Sequence, residues 1–271
     1  GSSSNMARAT LYFAVAAPLW ISGGLDPDPT RRLLWWTAAL VIEYAGPFTY
    51  FFVPGIGRSS LAEWHISGGH MAERCALFII LSLGEGILVT GANFAEVETS
   101  LATVLAFLSA FIGSVAMWWL YFDVGARRGR ELMEHEGVPG LLGRQAYTYA
   151  HIPIVAGIIV IAVADEQVLT HPTGPPEAFF IAAQVGGGLL FIGGNMLFKR
   201  MTSGQTFWPL SHFAGLGLFL LLGAWAWLAG PTPLALHLAA TGLFIAIAAW
   251  EWVSFHGGWK GRLRRPRTTA P

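Results

Sequence analysis

Two carboxylates stand where a carboxylate is hardest to keep. Glu43 and Glu85 each lie deep inside a long apolar run, about ten residues in, and at about 1.5 Å of rise per residue that is close to the middle of a bilayer. A lone carboxylate at that depth favours its neutral form unless it is paired or hydrated. Ionisable groups inside a membrane by default mark a functional interior. Arg74 precedes Glu85 by eleven positions, about 20° apart in helical phase, so the two share a helix face.

A second set of polar residues sits nearer one membrane surface. It comprises His70, Glu73 and Arg74 at the start of the third apolar run, Asp123 at the end of the fourth, and His151 early in the fifth with Tyr147 one turn before it. Asn195 is late in the sixth with Lys199 one turn on, His212 is early in the seventh, and Glu251 is late in the eighth. Facing one another, these residues form a polar vestibule with Glu43 or Glu85 at its floor. Taken singly, each also has a structural reading. Glu73 and Arg74 suit a helix start, and Asp123 with Arg127 suits an ordinary i,i+4 pair.

The elements that would carry these groups follow from composition. Hydrophobic residues make up 54% of the chain and charged residues 12%, against roughly 25% charged in a soluble domain. Apolar runs long enough to span fall near 9–24, 33–53, 75–94, 101–122, 147–166, 178–198, 208–228 and 234–254. The first is the weakest, with Pro18 inside it. The expectation is one all-α domain, a polytopic transmembrane bundle of about eight helices. Fourteen of the sixteen Lys and Arg residues fall in alternate connections and the tail, and only Arg31 and Arg32 fall opposite. Basic residues mark the cytoplasmic side, which places both termini there. The outer connections carry Glu96, Glu98, Asp165, Glu166 and Glu177.

Net charge is zero, which gives no case for nucleic acid. The basic tail, 257–271, reads as a topology determinant that also meets anionic lipid headgroups. The loop 123–146 reads as solvated with a short helix, and the GPTP turn at 230–233 makes the last two spans an antiparallel pair. Ser109 with Gly113, and the Gly186–Gly188 run with Gly193 and Gly194, suit close helix contact. His65, His70 and Glu73 lie close together, but not at the two-His helical spacing of zinc peptidases; neither a metal nor another cofactor is expected. With no GxSxG elbow, dinucleotide fingerprint or P-loop, an enzyme is the less favoured class. Cys75 is the single cysteine, so an internal disulfide is excluded.

Several stretches together resemble the bacterial low-temperature-requirement A (LtrA) family. They are HISGGHMAERCALFIILSLGEGILVTGANF (65–94), GSVAMWWLYFD (113–123), YTYAHIPIVAGIIVIAVADE (147–166), GNMLFKR (194–200) and PLSHFAGL (209–216). The resemblance runs from about residue 8 to 254. It implies a multi-pass protein of the bacterial inner membrane, and that the GSSSNM start belongs to a fragment lacking the family's N-terminal Phe-Phe-Asp-Leu-Val-Phe-like portion rather than to an appended leader before Met6. Matching positions are His70, Glu73, Arg74, Glu85, Trp119, Asp123, His151 and His212. Gly86 stands where the family usually has Ser, so any role for a hydroxyl beside Glu85 is absent or moved to Ser82.

Two functions fit. The first is transport of an ion, a proton or a small solute, with Glu85 as the protonatable or cation-binding group, Arg74 biasing its charge, and His151 and His212 as relays. The second is a membrane enzyme or lipid-binding protein using the same cavity for acid–base chemistry on a lipid-like substrate. A structural bundle serving growth in the cold is the plainest alternative. Substrate and oligomeric state are not encoded in these patterns.

Overall fold

A computed structural model describes residues 2–59, 68–135, 143–202 and 208–255. The described elements are α1 (Ser2–Leu25), α2 (Pro29–Phe48), α3 (Gly68–Glu96) and α4 (Leu101–Leu120). A π-helical turn (Tyr121–Ala126) follows, then α5 (Arg127–His135) and a second π-helical turn (Gly143–Tyr149). The last four helices are α6 (His151–Thr170), α7 (Ala178–Thr202), α8 (Leu210–Ala229) and α9 (Pro233–Phe255). Among the described residues there is no named strand, and the architecture is all-α. Six helices are long and apolar enough to cross a membrane, namely α3, the α4 stretch, α6, α7, α8 and α9. The protein is a multi-pass membrane protein. The basic tail and His65 lie outside the described residues.

Helix ends depart from the apolar runs for local reasons. A run begins where side chains turn apolar, whereas a helix begins where the backbone is capped. α3 therefore starts at Gly68, ahead of the run at 75, and its first turns carry the polar residues of GGHMAER. α2 starts at Pro29 because Asp28 caps it, accepting from Thr30 N–H at 2.8 Å and Arg31 N–H at 3.0 Å. It stops at Phe48 rather than 53, because Tyr50 and Phe51 adopt left-handed φ of 58° and 50° and Phe51 N–H turns back to Gly46 O at 2.7 Å. Ser100 and Thr103 form a capping box at the start of α4. Gly230, at φ 56°, ends α8 and lets the chain turn directly into α9.

The chain falls into two compact units. One holds α1 and α2, the other α3 to α9. In the first, Trp20 Nε1–H donates to Glu43 at 2.8 Å and Trp36 Nε1–H to the Trp20 carbonyl at 3.3 Å. In the second, α6 and α7 approach closely. A Cβ on Gly157 would lie 2.5 Å from Phe191 N, and one on Gly194 would lie 2.7 Å from Ile154 N. Only glycine permits that backbone approach, as small residues do between membrane helices. Large apolar side chains such as Leu81, Leu88 and Leu220 face outward, while Asp165, Lys199, His212, His237 and Glu251 are buried. That distribution, polar groups inward and apolar groups outward, is the one a lipid solvent imposes.

Candidate functional site

The most densely bonded group of buried charges lies near the C-terminal end of α7. Lys199 Nζ lies 2.7 Å and 2.5 Å from the two carboxylate oxygens of Glu251 on α9. It also donates to the Leu120 carbonyl at 2.7 Å and meets His212 Nε2, on the first turn of α8, at 3.2 Å. Leu120 sits at the junction where α4 passes into the π-helical turn, a local widening that often occurs at functional sites. An ammonium has three protons and no lone pair, so His212 must accept through Nε2. Its own proton is then on Nδ1, facing Ser211 Oγ at 3.2 Å. Four helices thus converge on one ion pair that has little access to solvent.

Two neighbours extend this cluster. Asn195, one turn before Lys199, donates to Phe191 O at 3.0 Å, and its Oδ1 is buried with no hydrogen bond. Asp123 pairs with Arg127 at 3.4 Å, and its Oδ2 is likewise buried and unbonded. His151 belongs to an adjoining aromatic group. Its Nδ1 faces Ala146 O at 2.9 Å and its Nε2 faces Tyr121 OH at 2.8 Å. A carbonyl only accepts, so Nδ1 carries the ring proton and the Tyr121 hydroxyl donates to Nε2. The ring stacks on Tyr147 at 5.4 Å and meets the edge of Phe198 at 4.8 Å. Tyr121 and Tyr147 line a cavity of about 260 Å³ that Ala72, Ala76, Arg127 and Arg130 also reach.

The structure therefore brings together Asn195, His212 and Glu251, with Asp123 and His151 close by on packed helices. It does not bring in His70, Glu73 or Arg74. All three are exposed on the first turns of α3, whose buried side there is formed by Gly68 and Ala72. Glu43 falls in the last third of α2, where Trp20 holds it, and α2 is not among the six helices long and apolar enough to cross a membrane. Glu85 is mid-way along α3 and exposed. It lines an open groove of about 430 Å³ between α3 and α6 together with Ser82, Gly86 and Glu166. Ser82 Oγ–H is committed to Phe78 O at 2.9 Å.

The sequence placed Lys199 in the polar layer, but its position beside Arg200 also makes it look like a topology charge, and its place at the centre of the inner cluster was not read. The outer group of Asp165, Gln184 and His237 lay outside the sequence reading. At the other end of the same helices, Gln184 of α7 and His237 of α9 meet, with His237 Nδ1 at 2.8 Å from Gln184 Oε1, and Asp165 of α6 lies 3.7 Å from His237 Nε2. Asp165 is inside α6 and buried, not in an outer connection. The available signal was a Gln and a His set singly in runs of otherwise apolar residues. Between the two clusters, Phe191, Phe219 and Phe244 are fully buried and interlock. Phe244 lies 5.8 Å from Phe191 and 5.0 Å from Phe219, centroid to centroid. Phe191 on α7 and Phe244 on α9 lie between the polar residues of the two clusters on their helices, and Phe219 of α8 packs against Phe244.

Comparison with known proteins agrees with this membrane architecture. The model of the family described as "Bacterial low temperature requirement A protein (LtrA)" matches residues 1–250. The chain is 40% identical over 212 residues to "Uncharacterized protein RA0937" of Rhizobium meliloti (strain 1021), a match covering 78% of this chain and 51% of that relative. It thus spans about half the length of the curated relative it matches. No solved structure matches.

Proposed function

We propose that this chain, which belongs to the bacterial low temperature requirement A family, moves an ion, a proton or a small solute across the bacterial inner membrane by opening and closing the Lys199–Glu251 pair. The observation that carries this reading is the burial of that pair among four helices, with His212 on the ammonium. Removing two charges from water costs several kcal/mol each, and a well-packed apolar pair of similar volume is about as stable or more so. Stability alone is thus a poor reason for the pair, whereas a site whose charges separate and rejoin needs both. A proton or cation that occupies Glu251, or an anionic group that occupies Lys199, breaks the contact. His212 then takes up or releases the proton that the change leaves over. The layer of Phe191, Phe219 and Phe244 keeps the interior shut while the pair is closed.

The test is flux in liposomes holding the full chain, followed as internal pH and as ion movement under an imposed gradient. Wild type should show flux, and the folded charge-free variant Lys199→Met/Glu251→Leu should show none. Equal flux in both would remove the pair from the pathway.

A second reading is favoured by the groove between α3 and α6. Its walls include Phe78, Leu81, Val89 and Ile159, with Glu85 and Glu166 among them. An apolar trough bearing carboxylates suits a lipid-like molecule with a cationic or hydroxylated head. In that reading lipid co-purifies with the protein, Glu85→Gln reduces its amount, and no ion flux is seen. The basic tail adds an attachment to anionic headgroups in either case.

A further inference from the structure

With the Gln184 carbonyl oxygen turned toward His237, the outer cluster contains a protonation problem that one added proton solves. Gln184 Oε1 is a carbonyl oxygen and can only accept, so His237 Nδ1 must carry a proton to make its 2.8 Å bond. In a neutral imidazole the other nitrogen, Nε2, is then a bare acceptor. It faces Asp165 Oδ1 at 3.7 Å, and a carboxylate oxygen is an acceptor too. Neither atom has another hydrogen-bond partner. Asp165 is 3% exposed, His237 2% and Gln184 1%, so the mismatch sits in a region that bulk water scarcely reaches. Two buried acceptors facing each other without a donor are costly. One added proton removes the mismatch, whether it makes His237 an imidazolium beside a carboxylate or makes Asp165 an acid that donates to Nε2.

We infer that Asp165 and His237 form a proton-binding site, which holds one exchangeable proton on Oδ1 or on Nε2 with Gln184 fixing the imidazole tautomer. The proton enters from water at the C-terminal end of α6 and leaves the same way, and nothing is oxidised or reduced. Gln184 and His237 lie on the same two helices as the inner pair, and Asp165 on the neighbouring α6. His237 and Glu251 are separated along α9, and Gln184 and Lys199 along α7, by about 22 Å of helix, with the phenylalanine layer between the levels. Its use as the loading site of a transport cycle rests on the transport reading above; the binding of the proton does not.

The other titratable groups at this end of the packed helices are Glu166 on α6 and His171 just after it, Glu177 ahead of α7, Glu96 at the end of α3 and Glu98 ahead of α4. All are exposed, and none has a recorded bond to Asp165 or His237 among the described residues. Neither α8 nor α9 adds a charged side chain at this level apart from His237 itself.

The experiment counts that proton in the full chain in nanodiscs. Histidine nitrogens are read by 15N NMR, and protonated carboxyl groups by their infrared carbonyl stretch. His237→Gln and Asp165→Asn assign the two signals. Should either variant fail to fold, 13C-labelled aspartate in the wild type identifies the carboxyl band by its isotope shift. His237 should be singly protonated on Nδ1 beside an Asp165 acid band, or doubly protonated without one, from about pH 5 to pH 8. A His237 protonated only on Nδ1 beside an ionised Asp165 would overturn the site, as would a proton on Nε2 alone. Flux is not part of this readout. A shared proton in a protein without flux leaves the site standing and removes the transport reading, and flux without a shared proton does the reverse.

Discussion

Lys199 on α7 and Glu251 on α9 make a contact of 2.5 Å between Nζ and Oε2, with 6% and 2% of their side chains exposed. Each is the condition for burying the other. Replacing Lys199 alone with Met leaves an uncompensated carboxylate in the interior and should lower stability by about 3–5 kcal/mol. The double replacement Lys199→Met/Glu251→Leu should recover most of that loss. Thermal unfolding in detergent checks the pair of variants, and strictly additive losses would show that the two side chains do not depend on each other.

Close packing of α6 on α7 gives a second prediction. A Cβ on Gly157 would come within 2.5 Å of Phe191 N and 2.8 Å of its Cα, and backbone cannot swing aside as a side chain can. Gly157→Ala should destabilise the protein by about 1–3 kcal/mol through overpacking. Gly186→Ala, where a Cβ meets nothing within 4 Å, should be close to neutral. Melting temperatures of the two variants compare them directly.

The phenylalanine layer should act as a barrier as well as a core. Phe244 touches both Phe191 and Phe219, so Phe244→Ala removes the ring that joins the other two. The cost in stability should be about 3–5 kcal/mol. In liposomes the same variant should leak protons in the absence of any co-substrate, at a rate above the wild type. An unchanged leak from a folded variant would show that the layer is not the barrier.

The turn between α1 and α2 has a pH dependence of known sign. The Asp28 N–H donates to Asp26 at 3.0 Å, and Arg31 lies 3.2 Å away; the backbone bond first and the cation second hold the Asp26 carboxyl below its ordinary value of 3.8. A lowered folded-state value means the stabilisation is complete above the unfolded value and is lost as pH falls through the folded one. The turn should therefore be unaffected from neutrality down to about pH 5 and loosen below about pH 4. Asp26→Asn should abolish that acid-side change, followed by the amide signals of Asp28 and Arg31.

How far the sequence alone reached depended on what each signal measures. Hydropathy finds where side chains meet lipid, and it located the helices and the polar ends of α7, α8 and α9. It does not see capping, which is why α3 begins seven residues before its apolar run and α2 ends before its aromatic one. It also does not see helix face. Lys199 beside Arg200 reads as one basic pair, yet successive helical residues point about 100° apart, so one turns inward to Glu251. Asp165 next to Glu166 is split in the same way, Asp165 buried and Glu166 exposed. His70, Glu73 and Arg74 show the converse, since a shared phase with Glu85 put them on a common face without making that face an interior one.

The most direct measurement is the reactivity of Lys199 while the protein works. The chain has two lysines, Lys199 and Lys260, so reductive methylation read by mass spectrometry can be normalised to Lys260. Without a gradient, Lys199 should be protected by Glu251, Leu120 O and His212. During flux, its modification should rise in step with turnover and then inhibit it. Flux that proceeds while Lys199 remains as protected as at rest would contradict an opening of the Lys199–Glu251 pair.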